Sequence, residues 1–224
     1  ASALFFALAI PERPHLGLAV CVTAIVFGIA ALKTQPTAST LPRRTGVIVF
    51  VAAFLIVAIA IAAHNQARFG NLFEFGHRYQ LTGEIHHRQV TLSLHNLVVG
   101  AYFMLLATPD FSPVFPWLRL VLQNPYWHDD YDWPPGYFIE PCGGLVFFAP
   151  LALLCFAVPR DLPSTARTVI FSILLSAIAV YVFLTSTNLT SERFQVDFLP
   201  WLLVVALFNV GVRFARSRGV WRRL

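Results

Sequence analysis

The polar residues of this chain follow a pattern that membrane proteins show and water-soluble proteins do not. Long uncharged apolar runs alternate with short arginine-bearing links, and one broad polar island over residues 64–141 interrupts them. The island contains most of the histidines, acids and tryptophans. Soluble domains carry about 25% charged residues, whereas this chain has 12% charged and 57% hydrophobic residues. We therefore expect the apolar runs to lie in lipid and the island to carry any chemistry.

Five of the apolar runs approach the length needed to cross a membrane. A hydrocarbon core of roughly 30 Å requires about 17–25 helical residues. The opening run, Ala1–Ile10, is too short, and we interpret it as the end of a helix that begins in a longer chain. The expected fold is all-α, a polytopic membrane helix bundle with about five full spans plus interfacial helices, in a single membrane domain over residues 1–224. The five runs are Leu16–Leu32, Val47–Ala63, Cys142–Val158, Thr168–Thr187 and Val196–Val212.

The basic residues predict the orientation of these helices. They are concentrated in the link 33–44, in the link 160–167 and in the tail 213–223. If successive helices alternate in direction, all three regions lie on one side of the membrane, opposite the polar island. An excess of lysine and arginine on the cytoplasmic side is the positive-inside pattern. We therefore expect cytoplasmic basic loops, a cytoplasmic C-terminus and contact with membrane lipid, and we expect no nucleic-acid partner despite the net charge of +5.

One apolar segment, Val90–Ala107, does not fit this alternation. It is apolar enough to cross a membrane, but a crossing here would place the link 160–167 and the basic tail on the wrong side. Its apolar residues follow helical spacing on one face. We interpret it as a helix that lies in the membrane interface or dips partly into the bundle. A second short helix of the same kind is expected near Phe115–Leu122.

The first candidate site is the loop Arg68–Gln80, which follows the second span. Two glycines and alternating aromatic residues indicate an ordered loop. Glu74 or His77 could take or give a proton, and the planar guanidinium of Arg78 could hold a phosphate. The alternative is an interfacial belt, in which aromatic side chains anchor the helix end and the charged side chains face water.

The second candidate site is Tyr126–Tyr137, which combines five aromatic residues with three acids. Flat rings such as that of Trp127 suit the C–H faces of a sugar, and Asp130 and Asp132 could accept hydrogen bonds from its hydroxyls. The same acids, together with Asp129, could instead bind Mg²⁺ or Ca²⁺ through oxygen ligands. The histidines lack the spacing of a metal site, so we predict no resident metal or cofactor. An interfacial loop without a ligand is the third interpretation.

The third candidate site is Ser191–Pro200, where the last span begins. Arg193 and Asp197 are four residues apart and would share one face of a helix. Charges at this depth are costly unless they are paired or reach a polar cavity. Arg193 could therefore grip a lipid phosphate while Asp197 fixes its orientation, and a purely structural ion pair is the alternative.

Three stretches resemble the later half of bacterial multi-spanning glycosyltransferases. They are RFGNLFEFGHRYQ at 68–80, PPGYF leading into EPCGGLVFFAP at 134–150, and ERFQVDFLPWL at 192–202. The family is the GT-C type, of the dolichyl-phosphate-mannose-protein mannosyltransferase and aminoarabinose-transferase kind. The resemblance extends over roughly residues 11–212 in the order of elements.

This resemblance implies an inverting sugar transfer from a polyprenyl-phosphate carrier to an acceptor, at the outer face of the bacterial inner membrane. It makes Arg78 and Arg193 candidates for contact with the carrier phosphate. It makes Glu74, His77 and the loop 126–137 candidates for contact with the sugar or the acceptor. The catalytic acid of the family lies in its first outer loop, which has no counterpart in this chain, so we assign no catalytic residue.

Two other functions are alternatives for a chain of this composition, and the apolar spans argue against the second. The first is a non-enzymatic membrane subunit whose outer polar island docks a partner protein. The second is a passive permease, which requires a continuous polar path through the bundle, and the apolar spans do not offer one. An acid in an upstream outer loop would favour the enzyme over the subunit.

Overall fold

The computed structural model describes residues 13–33, 43–76, 91–115, 117–120 and 133–221. The chain divides into two compact units, Ala1–Gln89 and Val90–Leu224, which are described separately. Most of the described residues are helical, with a few two-residue strands.

The first unit contains two helices that contact each other, α1 over Leu16–Lys33 and α2 over Arg43–Phe69. An α-helix rises 1.5 Å per residue, so α2 is roughly 40 Å long. It ends at Phe69. The next residue, Gly70, has a positive φ of 68°, the left-handed conformation that glycine provides after a helix. The Gly70 N–H closes this end by donating to the Gln66 carbonyl at 3.0 Å.

The second unit is built on two long helices, α5 over Ser164–Ser186 and α7 over Leu199–Trp221. The contacts between them show that they run in opposite directions. Near the end of α5, the Tyr181 ring meets Phe198, just before α7 begins, with ring centroids 5.2 Å apart. Ahead of α5, Asp161 forms an ion pair with Arg216, late in α7, at 2.7 Å.

The second unit therefore has two ends of different character. We call residues 187–198, which join α5 to α7, the loop end. We call residues 157–167, together with Arg213 and Arg216 of α7, the basic end. The basic end also carries Arg160 and Arg167, both exposed, so four arginines lie at one end of this unit.

Three helices among the described residues are long and apolar enough to cross a membrane. They are Ile48–Phe69 within α2, Ser164–Ser186 and Leu199–Ser217 within α7. The apolar part of α1, Leu16–Ala30, is shorter than these three. The prediction of a helical membrane protein is confirmed at this level, because three of the five predicted runs coincide with helices of spanning length.

The third predicted run, Cys142–Val158, takes a different form from the single helix that its composition predicts. It contains a short helix α4 over Leu145–Phe148 and a 3₁₀ helix over Pro150–Phe156. Pro150 has no N–H to donate and its ring clashes with the preceding turn, which stops an α-helix. The segment is nevertheless packed along α7 for most of its length.

Contacts along α7 show that this broken segment runs from the loop end to the basic end. The Gly143 carbonyl accepts a hydrogen bond from Gln195 at 2.6 Å, and the Ala157 carbonyl accepts one from Arg213 at 3.1 Å. Between them, Asn209 reaches the carbonyls of the 3₁₀ helix. A 3₁₀ helix rises about 2.0 Å per residue, so the segment covers this depth with fewer residues than α7 needs. We call the segment Cys142–Val158 the broken crossing, because it runs from one end of the second unit to the other.

The helix α3, over Leu94–Leu105, lies at the loop end. Its twelve residues span about 18 Å, too little for a hydrocarbon core. Asn96, near its start, donates to the Ser186 carbonyl at 3.1 Å, and the Met104 carbonyl, near its end, accepts from Gln195 at 3.2 Å. The length and these two contacts agree with the expectation that this segment does not cross as a full span.

A close approach fixes α3 against α5. A Cβ atom added at Gly100 would lie 2.7 Å from the Thr185 carbonyl oxygen and 2.9 Å from the Thr185 Cα. Only glycine lets the two backbones come this near. Behind this contact, Val99, Phe103 and Ala107 form a small buried cluster.

The short helix predicted near Phe115–Leu122 is wrong in the described residues. There the chain forms strand β2, Leu118–Arg119, which pairs antiparallel with strand β1, Asp110–Phe111. Aromatic residues such as Trp117 are enriched in strands, and the pairing with β1 supplies the hydrogen-bond partners of β2.

Candidate functional site

The candidate site is built at the loop end by a pair of short parallel strands. Strand β3, Phe138–Ile139, pairs with strand β4, Leu189–Thr190. The Glu140 N–H continues the ladder by donating to the Thr190 carbonyl at 2.9 Å. This pairing places Glu140 beside Ser191, although the two are far apart in the sequence.

Glu140, Ser191 and Arg193 form a hydrogen-bonded cluster. Arg193 Nη2 donates to both carboxylate oxygens of Glu140, at 2.8 and 2.9 Å. The Ser191 hydroxyl donates to Glu140 Oε2 at 2.5 Å. Bonds between ionised partners are shorter and stronger than neutral ones, so the carboxylate holds both neighbours in place.

The two charged side chains differ in exposure. The side chain of Arg193 is 70% exposed and that of Glu140 is 24% exposed. Screening by solvent makes an exposed ion pair weak, with a typical contribution of about 0–1 kcal/mol. The pair therefore orients the Arg193 guanidinium more than it stabilises the fold.

Ser191 also starts the helix that carries Arg193. It is the N-cap of α6, the four-residue helix Glu192–Gln195, and its hydroxyl oxygen accepts from the Arg193 N–H at 3.3 Å. Serine is favoured at this position because its oxygen satisfies a backbone N–H that lacks a partner inside the helix. The same hydroxyl thus serves the helix start and the Glu140 carboxylate.

Buried and half-buried polar groups next to the cluster are hydrogen-bonded within the protein. Gln195 Nε2 donates to the Met104 and Gly143 carbonyls, and so connects α3, α6 and the start of the broken crossing. The hydroxyls of Tyr137 and Thr190 share a short hydrogen bond. Hydrogen-bonded polar networks rigidify their surroundings, so these bonds hold the residues that carry the exposed charges.

Arg193 and Asp197 do not share a helix face as the sequence suggested. The helix α6 ends at Gln195 and α7 begins at Leu199, so Asp197 lies between two helices. The side chain of Arg193 is exposed while Asp197 is buried. The structural ion pair that we weighed for Arg193 is formed with Glu140 instead.

Glu74, the first-unit candidate in the described residues, closes a local turn. Its Oε1 accepts from the Gly76 N–H at 2.9 Å, and Gly76 adopts a positive φ of 88°. Asn65 secures the same loop by donating to the Leu72 carbonyl at 3.2 Å. These two hydrogen bonds hold residues 70–76, and the rest of the predicted loop lies outside the described residues.

Several of the sequence candidates lie outside the described residues. They include two members of the first candidate loop and residues 126–132 of the second candidate site, Tyr126–Tyr137, which we call the aromatic–acidic loop; their assignments stay predictions. Among the described residues, no group of three or more histidine, cysteine, aspartate or glutamate side chains could hold a metal ion. The residues outside the description are His77, Arg78, Trp127, Asp129, Asp130 and Asp132.

Sequence reasoning missed Glu140 as a partner of Arg193, and it included Ser191 in the third candidate site without giving it a role. Glu140 opens the EPCGG stretch and Ser191 precedes the ERFQ stretch, so both lie at the edge of motifs that carry the resemblance. Each motif follows one strand of the β3–β4 pair in the sequence. The sequence signal that could have predicted this pair is that an acid, Glu140, and a hydroxyl, Ser191, stand at the starts of two motifs.

Comparisons with protein-family profiles, with curated proteins and with solved structures found no match to this chain.

Proposed function

We propose that this chain is part of a membrane glycosyltransferase that moves a sugar from a polyprenyl-phosphate carrier to an acceptor at the outer membrane face. The observation that supports this most directly is the Glu140–Ser191–Arg193 cluster, which holds an exposed guanidinium at the loop end of two apolar helices. The phosphate of a lipid carrier lies at the membrane surface. An arginine at the end of a membrane-crossing helix is at the right depth to meet it.

The proposal includes an orientation in the bacterial inner membrane. About five crossings are assigned to α1, α2, the broken crossing, α5 and α7. The loop end then faces outward, and the basic links and the C-terminus are cytoplasmic. The four arginines of the basic end support this orientation, because the positive-inside pattern places such clusters in the cytoplasm.

Each candidate residue has a defined role in this proposal. Arg193 contacts the carrier phosphate through its planar fork, and Arg78 contributes a second positive charge. As the sugar leaves, negative charge accumulates on the phosphate, and fixed cations stabilise it. The Glu140 carboxylate holds the guanidinium in position until the phosphate arrives and competes with it afterwards.

The other candidates are assigned to the sugar and the acceptor. Glu74 and His77 contact either of them from the first-unit loop, and Trp127, Asp130 and Asp132 do so from the aromatic–acidic loop. Asp197 keeps the role that the sequence suggested, to fix the orientation of Arg193, and it is buried between α6 and α7. No residue of this chain is assigned as the catalytic base.

The test is sugar transfer from a polyprenyl-phosphate-linked hexose by the full-length protein in lipid nanodiscs. Arg193→Ala should raise the KM for the donor by about 10- to 150-fold, since a hydrogen bond to a charged group contributes about 1.5–3 kcal/mol. Arg193→Lys should lose part of this effect because it keeps the charge and loses the fork. Glu140→Gln should lower the KM, because the competing anion is gone.

The matched control is Arg167→Ala, an exposed arginine at the basic end. It should leave the KM for the donor unchanged. Unchanged kinetics in both Arg193→Ala and Arg78→Ala would remove the assignment of the carrier phosphate. A full-length protein that transfers no sugar from any polyprenyl-phosphate donor would end the proposal of an enzyme and leave the non-enzymatic subunit.

A further inference from the structure

The hairpin that follows α3 exposes an unusual amount of apolar surface. It comprises residues 110–119, with strands β1 and β2 at its base. Phe111 is 75% exposed, Phe115 73% and Trp117 65%. The rings of Phe115 and Trp117 pack edge to face with centroids 5.3 Å apart, so the two form one apolar tip.

The position of the hairpin is fixed by its connection to the loop end. The Ala107 carbonyl accepts from the Gly144 N–H at 2.8 Å, and Gly144 begins the broken crossing. Strand β1 starts three residues after Ala107. Since each residue extends the chain by at most about 3.6 Å, the hairpin base lies close to the loop end of the bundle.

Charged residues lie only at the base of the hairpin. Asp110 and Arg119 are paired across the two strands, and both are exposed. The hairpin thus combines a charged base with an apolar, aromatic tip. This is the distribution of residues at a membrane–water interface, where tryptophan lies at the level of the headgroups.

The apolar surface of the hairpin continues on α3. Leu94 and Val98 are exposed on that helix and Leu106 is exposed directly after it, and α3 lies at the loop end. The exposed faces of α5 and α7 belong to helices long and apolar enough to cross a membrane. Since α3 and the hairpin lie at the loop end of these helices, a membrane around the helices has its surface near both.

We propose that the hairpin 110–119 is a membrane-interface anchor, inserted at the boundary between headgroups and acyl chains on the side of the membrane where the loop end lies. Its partner is the lipid surface. Phe111, Phe115 and Trp117 enter the acyl region, while Asp110 and Arg119 remain among the headgroups. This role is independent of sugar transfer, because it depends only on the apolar tip and on its position at the loop end.

The experiment measures the depth of Trp117 in nanodiscs made from the full-length protein. Spin-labelled lipids quench a tryptophan that lies in the bilayer, and aqueous iodide quenches one that lies in water. The variant keeps Trp117 as the tryptophan of this chain and replaces the others with phenylalanine, at Trp127, Trp133, Trp201 and Trp221.

We expect labels near the carbonyl end of the acyl chain to quench Trp117 several-fold more strongly than labels at the chain terminus, and iodide to quench it weakly. Strong iodide quenching with no lipid quenching would overturn the proposal, because the tip would then lie in water. Protection from both quenchers would also overturn it, since a protein surface would then cover the tip. Neither result depends on whether the protein transfers a sugar.

A second readout keeps the test valid if the tryptophan replacements impair folding. Val114 is 66% exposed in the hairpin, and Val114→Cys can be labelled with an environment-sensitive dye. The accessible thiol of Cys21 is removed with Cys21→Ser, while Cys142 and Cys155 are buried. A blue-shifted emission in nanodiscs supports insertion, and emission at the wavelength of the dye in water contradicts it.

Discussion

Asn209 fastens the broken crossing to α7, and replacing it with leucine should loosen that segment. Its Nδ2 donates to the Leu154 carbonyl at 3.0 Å and to the Cys155 carbonyl at 3.1 Å. Its side chain is almost completely buried, with 1% exposed. Buried carbonyls need such a partner, because leaving one without a hydrogen bond costs free energy.

The magnitude follows from what each carbonyl keeps. The Leu154 carbonyl also accepts from the Ala157 N–H at 3.1 Å, so it retains a partner in the variant. The Cys155 carbonyl bears most of the loss, and a buried acceptor without a partner costs about 1–3 kcal/mol. Asn209 Oδ1 is itself buried without a partner among the described residues, so its removal offsets a small part. We expect a net loss of about 1–3 kcal/mol, or about 5- to 150-fold in the opening equilibrium.

The assay uses the thiol of Cys155 as a reporter of local opening. This residue is fully buried in the broken crossing, so a small maleimide reaches it only when the segment detaches from α7. Labelling is followed in detergent micelles in a Cys21→Ser, Cys142→Ala background. Asn209→Leu should accelerate the labelling by the factor given above, because labelling of a buried group follows its opening equilibrium.

Two controls separate local opening from global unfolding. Val210→Leu changes the neighbouring residue, which is 40% exposed, and should label at the wild-type rate. A second reporter protein keeps Cys142, beside Gln195 at the loop end, and its rate should change little if the opening is local. Wild-type labelling of Cys155 in Asn209→Leu would refute the reasoning, because the two hydrogen bonds would then not hold the segment.

Three further predictions concern packing and charge in the second unit. Gly100→Ala should destabilise the protein by about 1–3 kcal/mol, because the added methyl meets backbone that cannot move aside. The control Gly211→Ala should be neutral or slightly stabilising, because nothing lies within 4 Å of a Cβ atom added there. Thermal unfolding in micelles measures both variants. Gln195→Leu should cost about 2–4 kcal/mol in the same assay, since two buried carbonyls lose their donor. The Arg216 guanidinium lowers the pKa of the Asp161 carboxyl. The ion pair should therefore persist below the ordinary pKa of aspartate and be lost as the pH falls through the lowered value. Arg216→Ala should return the pKa of Asp161 to its ordinary range in a carboxyl NMR titration.

The sequence alone determined that this is a helical membrane protein and where the long helices lie. Runs such as Thr168–Thr187 and Val196–Val212 contain enough consecutive apolar residues to span a bilayer, and the structure has helices there. Helix formation in such runs depends on neighbours three and four residues away along the chain. Local periodicity is therefore sufficient to predict it, and the placement of the arginines adds a prediction of orientation.

Only the tertiary structure decided what Arg193 contacts and how Cys142–Val158 crosses the unit. The Glu140 carboxylate reaches Arg193 because β3 and β4 pair in parallel, and strands of two residues are too short to leave a period in the sequence. The broken crossing depends on Asn209, which contacts carbonyls more than fifty residues away. Hydrogen bonds between distant segments depend on which backbones come together in space, and a pattern within one segment carries no information about that choice.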